Sequence, residues 1–455
     1  MKSLMRLPSL LLVGASLLAT LPVAAQLNDG KPDPDYTVPE RLDLDYALAY
    51  ALDNNFTIRQ AKERIRQQEG ILLEVRSGLI PNVSAGAGYS RNSDDVSSNG
   101  RDYAWSVDIT ARQILYAGGG VTANVRSQQL ALEAATLALR AVINDALVDV
   151  RIRFFTVLLN REKIKVQEQN TELLQRQLQD VKNRFEAGTV SNFEVLRAEV
   201  ALANAQPALI SARNDYRLGI EELRQALGYV AESEPNVAKV PEFLGTLEFK
   251  PTTFDLRSAL GAAREQRPDL LRLAKLTAAA EEGIVRSRAG RLPSVSAFGS
   301  YDWRRSPISS PRSSLDGWTV GLQSSWDIFD GRATTGRIAQ ARSFLEQTKL
   351  ALAEAQLSVD VEVRRAISTF QQATELAEAS KKVVEQAEEA VRLANARYAA
   401  GTATQLDVLT SQVDLTTARL NQVQAYYSHN VAVASVRNAM GLADEAFPTK
   451  ELTYP

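Results

Sequence analysis

The chain has no cysteine and a single histidine, His429. Without cysteine there is no disulfide, no thiolate metal ligand and no thiol nucleophile, and nothing near the start to carry a lipid. A zinc site or a Ser-His triad built on His429 needs partners that the sequence does not supply. No catalytic residue, metal ligand or cofactor site is therefore expected, and the chain does not read as an enzyme. Charge of one sign is lacking too: 52 Lys and Arg stand against 54 Asp and Glu, which leaves no basic surface for nucleic acid. Beyond residue 25 no stretch approaches the roughly 20 apolar residues that a spanning helix needs. Gly118-Gly119-Gly120 lacks the Lys-Ser/Thr of a phosphate-binding loop.

Residues 1–25 have the form of a secretory signal. Lys2 and Arg6 make the positive start, residues 10–21 the apolar segment, and Val23 and Ala25 the small cleavage positions, so an exported chain beginning at Gln26 is expected. Residues 26–40, with Pro32, Pro34 and Pro39, form an irregular lead-in.

The rest of the chain is organised around a stretch that occurs twice. Residues 184–196 read Arg-Phe-Glu-Ala-Gly-Thr-Val-Ser-Asn-Phe-Glu-Val-Leu, and residues 397–409 read Arg-Tyr-Ala-Ala-Gly-Thr-Ala-Thr-Gln-Leu-Asp-Val-Leu, an offset of 213 (401 − 188 = 213). Gly188 and Gly401 sit where a helix end wants a residue free to take positive φ. Ser191 and Thr404 are placed to cap the next helix, with Glu194 and Asp407 three residues on, as in a capping box. Each copy reads as a tight turn between two antiparallel helices.

Around these turns run two repeats, 41–228 and 254–441, joined by a proline-bearing linker at 229–253 and followed by a tail at 442–455. Each begins with a helix, opened by Asp43 or Asp45 in the first and broken near Asn54-Asn55. Pro81 and Pro293 end these helices. The period then changes to two. Val83, Ala85, Ala87 and Tyr89 share one face, and Tyr103, Trp105, Val107, Ile109 and Ala111 another; their counterparts are Val295, Ala297, Gly299, Tyr301, Trp303 and Trp318, Val320, Leu322, Ser324, Trp326. The intervening positions are small or polar. Strands of about ten residues with this alternation suit a membrane barrel. After Gly118 and Gly331 the apolar spacing returns to threes and fours for more than 60 residues, a helix of about 100 Å. A shorter helix returns from each turn, so two half-length helices can stack end to end beside one long one.

Four strands cannot close a barrel in lipid, where an open edge leaves backbone groups unpaired. Two chains give eight strands and three give twelve. Small, polar inward faces suit an aqueous lumen and hence the trimer. The fold class expected is α+β, mainly α: a trimeric twelve-stranded β-barrel continued by a long α-helical barrel. A soluble periplasmic coiled-coil adaptor is the alternative, since long helical hairpins serve there too, although paired membrane-type strands do not.

The doubled turn motif, the two proline-led strand pairs and the exported, cysteine-free start resemble the TolC-like outer-membrane efflux protein family over nearly all of residues 41–442. The resemblance implies a homotrimer in the outer membrane with its helices in the periplasm. It implies an exit duct of tripartite pumps or of type I secretion, joined to a periplasmic adaptor and an inner-membrane pump or ABC transporter. By motif match, Ala187, Gly188, Thr189, Ala400, Gly401 and Thr402 are the adaptor-docking tips. The short segment after the second repeat implies a reduced belt around the tube. Glu194 and Asp407, with Tyr398, are expected at the periplasmic aperture, and Tyr89, Tyr103, Trp105, Tyr301, Trp303, Trp318 and Trp326 in the aromatic girdle at the membrane. Drug, metal and protein cargo are not distinguished.

Overall fold

The computed structural model describes residues 41–91, 93, 103–229, 241–305 and 315–442. The export signal, the lead-in, most of the loops between paired strands and the tail lie outside the described residues, as does part of the linker. Strand β1 (Arg41–Leu42) precedes helices α1 (Leu44–Asn54) and α2 (Phe56–Arg76), then come β2 (Asn82–Arg91), β3 (Tyr103–Ala117), α3 (Gly120–Glu186) and α4 (Asn192–Leu227). The second half repeats the order: β4 (Glu242–Phe243), α5 (Leu256–Gln266), α6 (Pro268–Arg288), β5 (Ser294–Arg305), β6 (Leu315–Ser325), α7 (Ala333–Ala399) and α8 (Gln405–Ala439).

The linker does more than its prolines suggest. Residues 242–243 pair in parallel with residues 41–42, so β4 clips the start of repeat one to the start of repeat two. Arg161 Nη1 and Nη2 donate to the Phe243 and Gly245 carbonyls, both at 2.5 Å, which ties this clip to the middle of α3.

Helices α3 and α7 are each 67 residues, about 100 Å long. Beside each runs a pair of shorter helices meeting end to end, as their lengths require. The joints are made by unlike residues at matching places. In repeat one, Asn55 ends α1 and caps α2: its Oδ1 accepts from Thr57 N at 2.8 Å, and its Nδ2 donates to the Ala226 carbonyl at the end of α4, 2.6 Å away. In repeat two, Arg267 holds that position. It pairs with Asp269 at 3.0 Å and Glu362 at 2.5 Å, and its Nη1 reaches the Ala439 carbonyl at 3.5 Å. Gly228 and Gly441 allow these approaches. Both have positive φ, and a Cβ on either would fall within 3 Å of the facing Asn54 or Arg267 backbone.

Each repeat has its own core at this level. Leu48, Ile58, Ile65, Leu147, Val150, Phe154, Val157 and Leu223 fill the first; Ala259, Ala263, Val359, Val363, Ile367, Phe370 and Val436 fill the second. The four spaced positions Leu147, Val150, Phe154 and Val157 are each at most 1% exposed, as the steps of three and four in the sequence demand. Nearer the turns, Leu174, Ala205 and Leu409 bring α3, α4 and α8 together and so join the two repeats.

Strands β2, β3, β5 and β6 form one antiparallel sheet in that order. β3 runs past Arg112, where its plain alternation stops, to Ala117, because a bulge between Ile114 and Tyr116 resets the pairing. β2 and β6 are the sheet's two free edges.

Candidate functional site: two turns and a lipid-type wall

The two turns have the same backbone. Gly188 and Gly401 have φ of 71° and 72°. Gly188 N donates to the Phe185 carbonyl and Thr189 N to that of Arg184, both at 2.9 Å. In the second copy Gly401 N donates to Tyr398 O at 3.0 Å and Thr402 N to Arg397 O at 2.9 Å. This is the double bond pattern that finishes a helix with a left-handed glycine. Each threonine also donates its hydroxyl to the same carbonyl, at 2.9 Å from Thr189 and 3.1 Å from Thr402. Ala187 and Ala400 are the last right-handed residues before the glycines. Nothing lies within 4 Å of a Cβ added to either glycine. The requirement for glycine is conformational, and the turns are open on their outer side.

The residues behind the turns differ. Thr404 and Asp407 form a full capping box: Thr404 N donates to Asp407 Oδ2 at 2.7 Å and Asp407 N to Thr404 Oγ1 at 3.3 Å. The backbone and hydroxyl hydrogen bonds from Thr404 hold the Asp407 carboxyl below its ordinary range. The matching box expected at Ser191 and Glu194 does not form, and Ser191 makes no side-chain cap. Glu194 is taken by the other repeat: Gln405, 1% exposed, donates its amide to the Glu194 carboxylate and lies 3.3 Å from the Glu194 carbonyl. Arg184 stacks over the ring of Tyr398 at 4.9 Å. The structure thus brings both turns of one chain together, through Glu194 with Gln405 and Arg184 with Tyr398.

At the other end the sheet has two unlike faces. The pairing sets Tyr89 opposite Trp105, Val107 opposite Trp303, Ile109 opposite Tyr301, and Tyr301 opposite Trp318, all on one face. Trp105 and Trp303 pack edge to face at 4.8 Å, and Arg305 lies over Tyr103 at 5.6 Å. This face is uncovered: Tyr89 is 72% exposed, Trp318 75% and Val320 72%. The opposite face carries the rows Ser84, Thr110, Ser300, Thr319 and Gly86, Asp108, Asp302, Gly317. Trp326 stands one residue beyond β6, its Nε1 donating to the Arg291 carbonyl at 3.1 Å. Eight residues separate it from Trp318, about 26 Å of extended chain, which matches the apolar band of a membrane barrel.

Beside Trp326 lies an apolar collar that alternation did not disclose. Leu115, Tyr116, Ile328 and Phe329 are exposed where strands give way to long helices. Its signal was in the sequence: Ile328-Phe329 lies 213 residues after Leu115-Tyr116, the offset of the turns. His429, by contrast, is 2% exposed and packs between Phe249 and Phe370, with ring centroids 4.7 and 5.6 Å away.

A sheet with one apolar and one polar face, open edges and about 100 Å of helix attached suits a channel-forming membrane protein that closes its barrel by assembly. The comparisons give the family. Residues 47–229 and 259–442 match the outer membrane efflux protein family, one stretch in each repeat, and the chain belongs to that family. It is 27% identical over 392 residues to the protein CyaE of Bordetella pertussis, covering 84% of this chain and 81% of that one. To the outer membrane protein TolC of Vibrio cholerae it is 24% identical over 381 residues, 81% of this chain and 84% of that one. The Campylobacter jejuni CmeC outer membrane channel has the same fold, with a TM-score of 0.76 at 16% identity over 88% of this chain and 85% of that one. The fold is the expected one: a trimeric twelve-stranded barrel, four strands per chain, continued by a helical barrel in the periplasm. The chain is an outer-membrane efflux duct, and the soluble adaptor alternative is not favoured.

Proposed function

We propose that the chain is the exit duct of a tripartite pump or type I secretion system. In this reading Ala187, Gly188, Thr189 and Ala400, Gly401, Thr402 dock a periplasmic adaptor, which joins the duct to an inner-membrane pump or ABC transporter. The observation that carries it is the pair of turns: two copies of one backbone, open on the outer side, at the end of the helices remote from the membrane sheet. In a trimer six such turns form a ring, and an adaptor that reads one backbone shape can engage all six. The test is in-cell photo-crosslinking from positions 189 and 402. Capture of an adaptor at both, but not from the middle of α7, is the expected result. Capture from the middle of α7 alone would sink the docking role.

The aperture belongs to the same reading. Three copies of Glu194 and Asp407 place six carboxylates near the periplasmic mouth, where like charges draw cations. Tyr398, held under Arg184, narrows the same region. The double change Glu194→Gln and Asp407→Asn keeps an acceptor oxygen at each position. It should leave the trimer assembled and weaken cation preference in single-channel recordings. Unchanged selectivity in an assembled channel would leave these residues a structural role only.

A further inference from the structure

The two repeats are alike in backbone and unlike in charge at the joint between sheet and long helix. Repeat one carries Glu74, Arg76, Leu79, Gly119 and Asn124 there. The matching positions of repeat two, 212 residues on before the strands and 213 after them, are Arg286, Arg288, Arg291, Arg332 and Arg337. All five arginines are exposed. Repeat one's further arginine at this level, Arg126, faces Glu282 at 4.0 Å.

Arg332 is the most informative of them. Its φ is 72°, and among the described residues it is the one non-glycine with positive φ. Repeat one makes the same turn with Gly119 at φ 80°, with nothing within 4 Å of an added Cβ. The turn therefore asks for glycine, and repeat two keeps an arginine in spite of the backbone strain. A side chain retained against strain points to a role for that side chain.

Its surroundings say what the role is. Six residues earlier stands Trp326, and between them Ile328 and Phe329 are 84% and 83% exposed. Trp326 marks the level where the apolar wall meets water. Arg291 offers its carbonyl to Trp326 and its Nη2 to Thr335 Oγ1 at 3.4 Å. Arg337 has Asp330 at 3.9 Å, and Arg286 donates to Asn124 at 2.9 Å. The Arg332 backbone N–H donates to the Asp330 carboxylate, but among the described residues the guanidinium groups of Arg288 and Arg332 pair with no carboxylate. Two exposed guanidinium groups, with Arg291 beside them, thus stand at the foot of an apolar collar continuous with the lipid-facing wall. Guanidinium groups recognise phosphate by paired, charge-assisted hydrogen bonds.

We propose that this joint binds the headgroup of an anionic phospholipid in the periplasm-facing leaflet, one site per chain. Ile328 and Phe329 lie against its acyl chains, and Arg288, Arg291 and Arg332 hold its phosphate. Repeat one's joint has the collar and Arg76 but Leu79 and Gly119 in place of Arg291 and Arg332, and it binds lipid without regard to headgroup charge.

Native mass spectrometry of the detergent-solubilised trimer, offered phosphatidylglycerol and phosphatidylcholine in equal amount, tests this. Wild type should retain about three phosphatidylglycerol molecules, one for each of the strained arginines. Arg332→Gly, which restores the residue repeat one tolerates and so keeps the fold, should lower the preference about fivefold. The triple change Arg288→Gln, Arg291→Leu, Arg332→Gly should abolish it, while Arg76→Gln in repeat one should not alter it. Equal retention of the two lipids by wild type would overturn the proposal, as would an unchanged preference in Arg332→Gly. Displacement of the bound lipid by millimolar inorganic phosphate would reduce the site to a phosphate site and equally overturn the lipid assignment.

Discussion

At Gly188 and Gly401 the cost of a side chain is conformational, since space is open around both. A β-branched residue there forces the left-handed region, at about 1–2 kcal/mol each, confined to the helix end. Gly188→Val and Gly401→Val should therefore leave detergent-extracted trimers intact and abolish export in a substrate-efflux assay. Loss of the trimer would mean that the glycines serve folding alone. His429 makes a different prediction. Neither ring nitrogen has a hydrogen-bond partner, and burial lowers its pKa from the ordinary 6.5. The charged side chains lining the adjoining cavity, Arg151, Lys250 and Arg437, are all cations. The folded state thus binds its proton less readily than the unfolded chain. The associated stability is full above pH 6.5 and is lost as the pH falls from there toward the lowered value. Wild type should lose melting temperature relative to His429→Leu between pH 7.5 and 5. Parallel curves for the two proteins would refute the assignment.

The strands carry the membrane prediction. Val107 and Val320 face outward with the aromatic residues, and Ser106 and Thr319 face the other way. An arginine on the lipid face near the bilayer midplane costs about 2–4 kcal/mol. Val107→Arg and Val320→Arg should reduce the amount of protein in outer-membrane fractions much more than Ser106→Arg and Thr319→Arg. Equal losses on both faces would show the faces misassigned. These faces were legible in the sequence because a period of two is a local signal, and the long helices because apolar spacing persists over 67 residues. What was not legible depended on contacts between distant residues. The β1–β4 clip has two residues per strand, too few to show a period. In the box that fails to form at Ser191, the Glu194 carboxylate is taken by Gln405, from the other repeat. The bulge at residue 115 hid the end of β3 and with it the lower collar.

For the molecule as a whole, the free edges of β2 and β6 must be paired before the sheet can enter lipid. The purified protein should need detergent and sediment as a trimer, and a monodisperse monomer in plain buffer would refute the barrel. Internal duplication made this architecture readable, since each element could be checked against its copy. The copies have diverged at their joints, however, and that gives the tube two mechanical halves. Asn55 couples its stacked helices through a short neutral bond in a buried setting. Arg267 reaches the matching Ala439 carbonyl only at 3.5 Å and is held in place by two ion pairs, to Asp269 on α6 and Glu362 on α7, that remain partly open to water. Ionic strength screens the second and leaves the first untouched. Raising salt should therefore speed amide hydrogen exchange at the α5–α6 junction before the α1–α2 junction. The duct would flex unevenly around its circumference, three compliant struts alternating with three stiff ones.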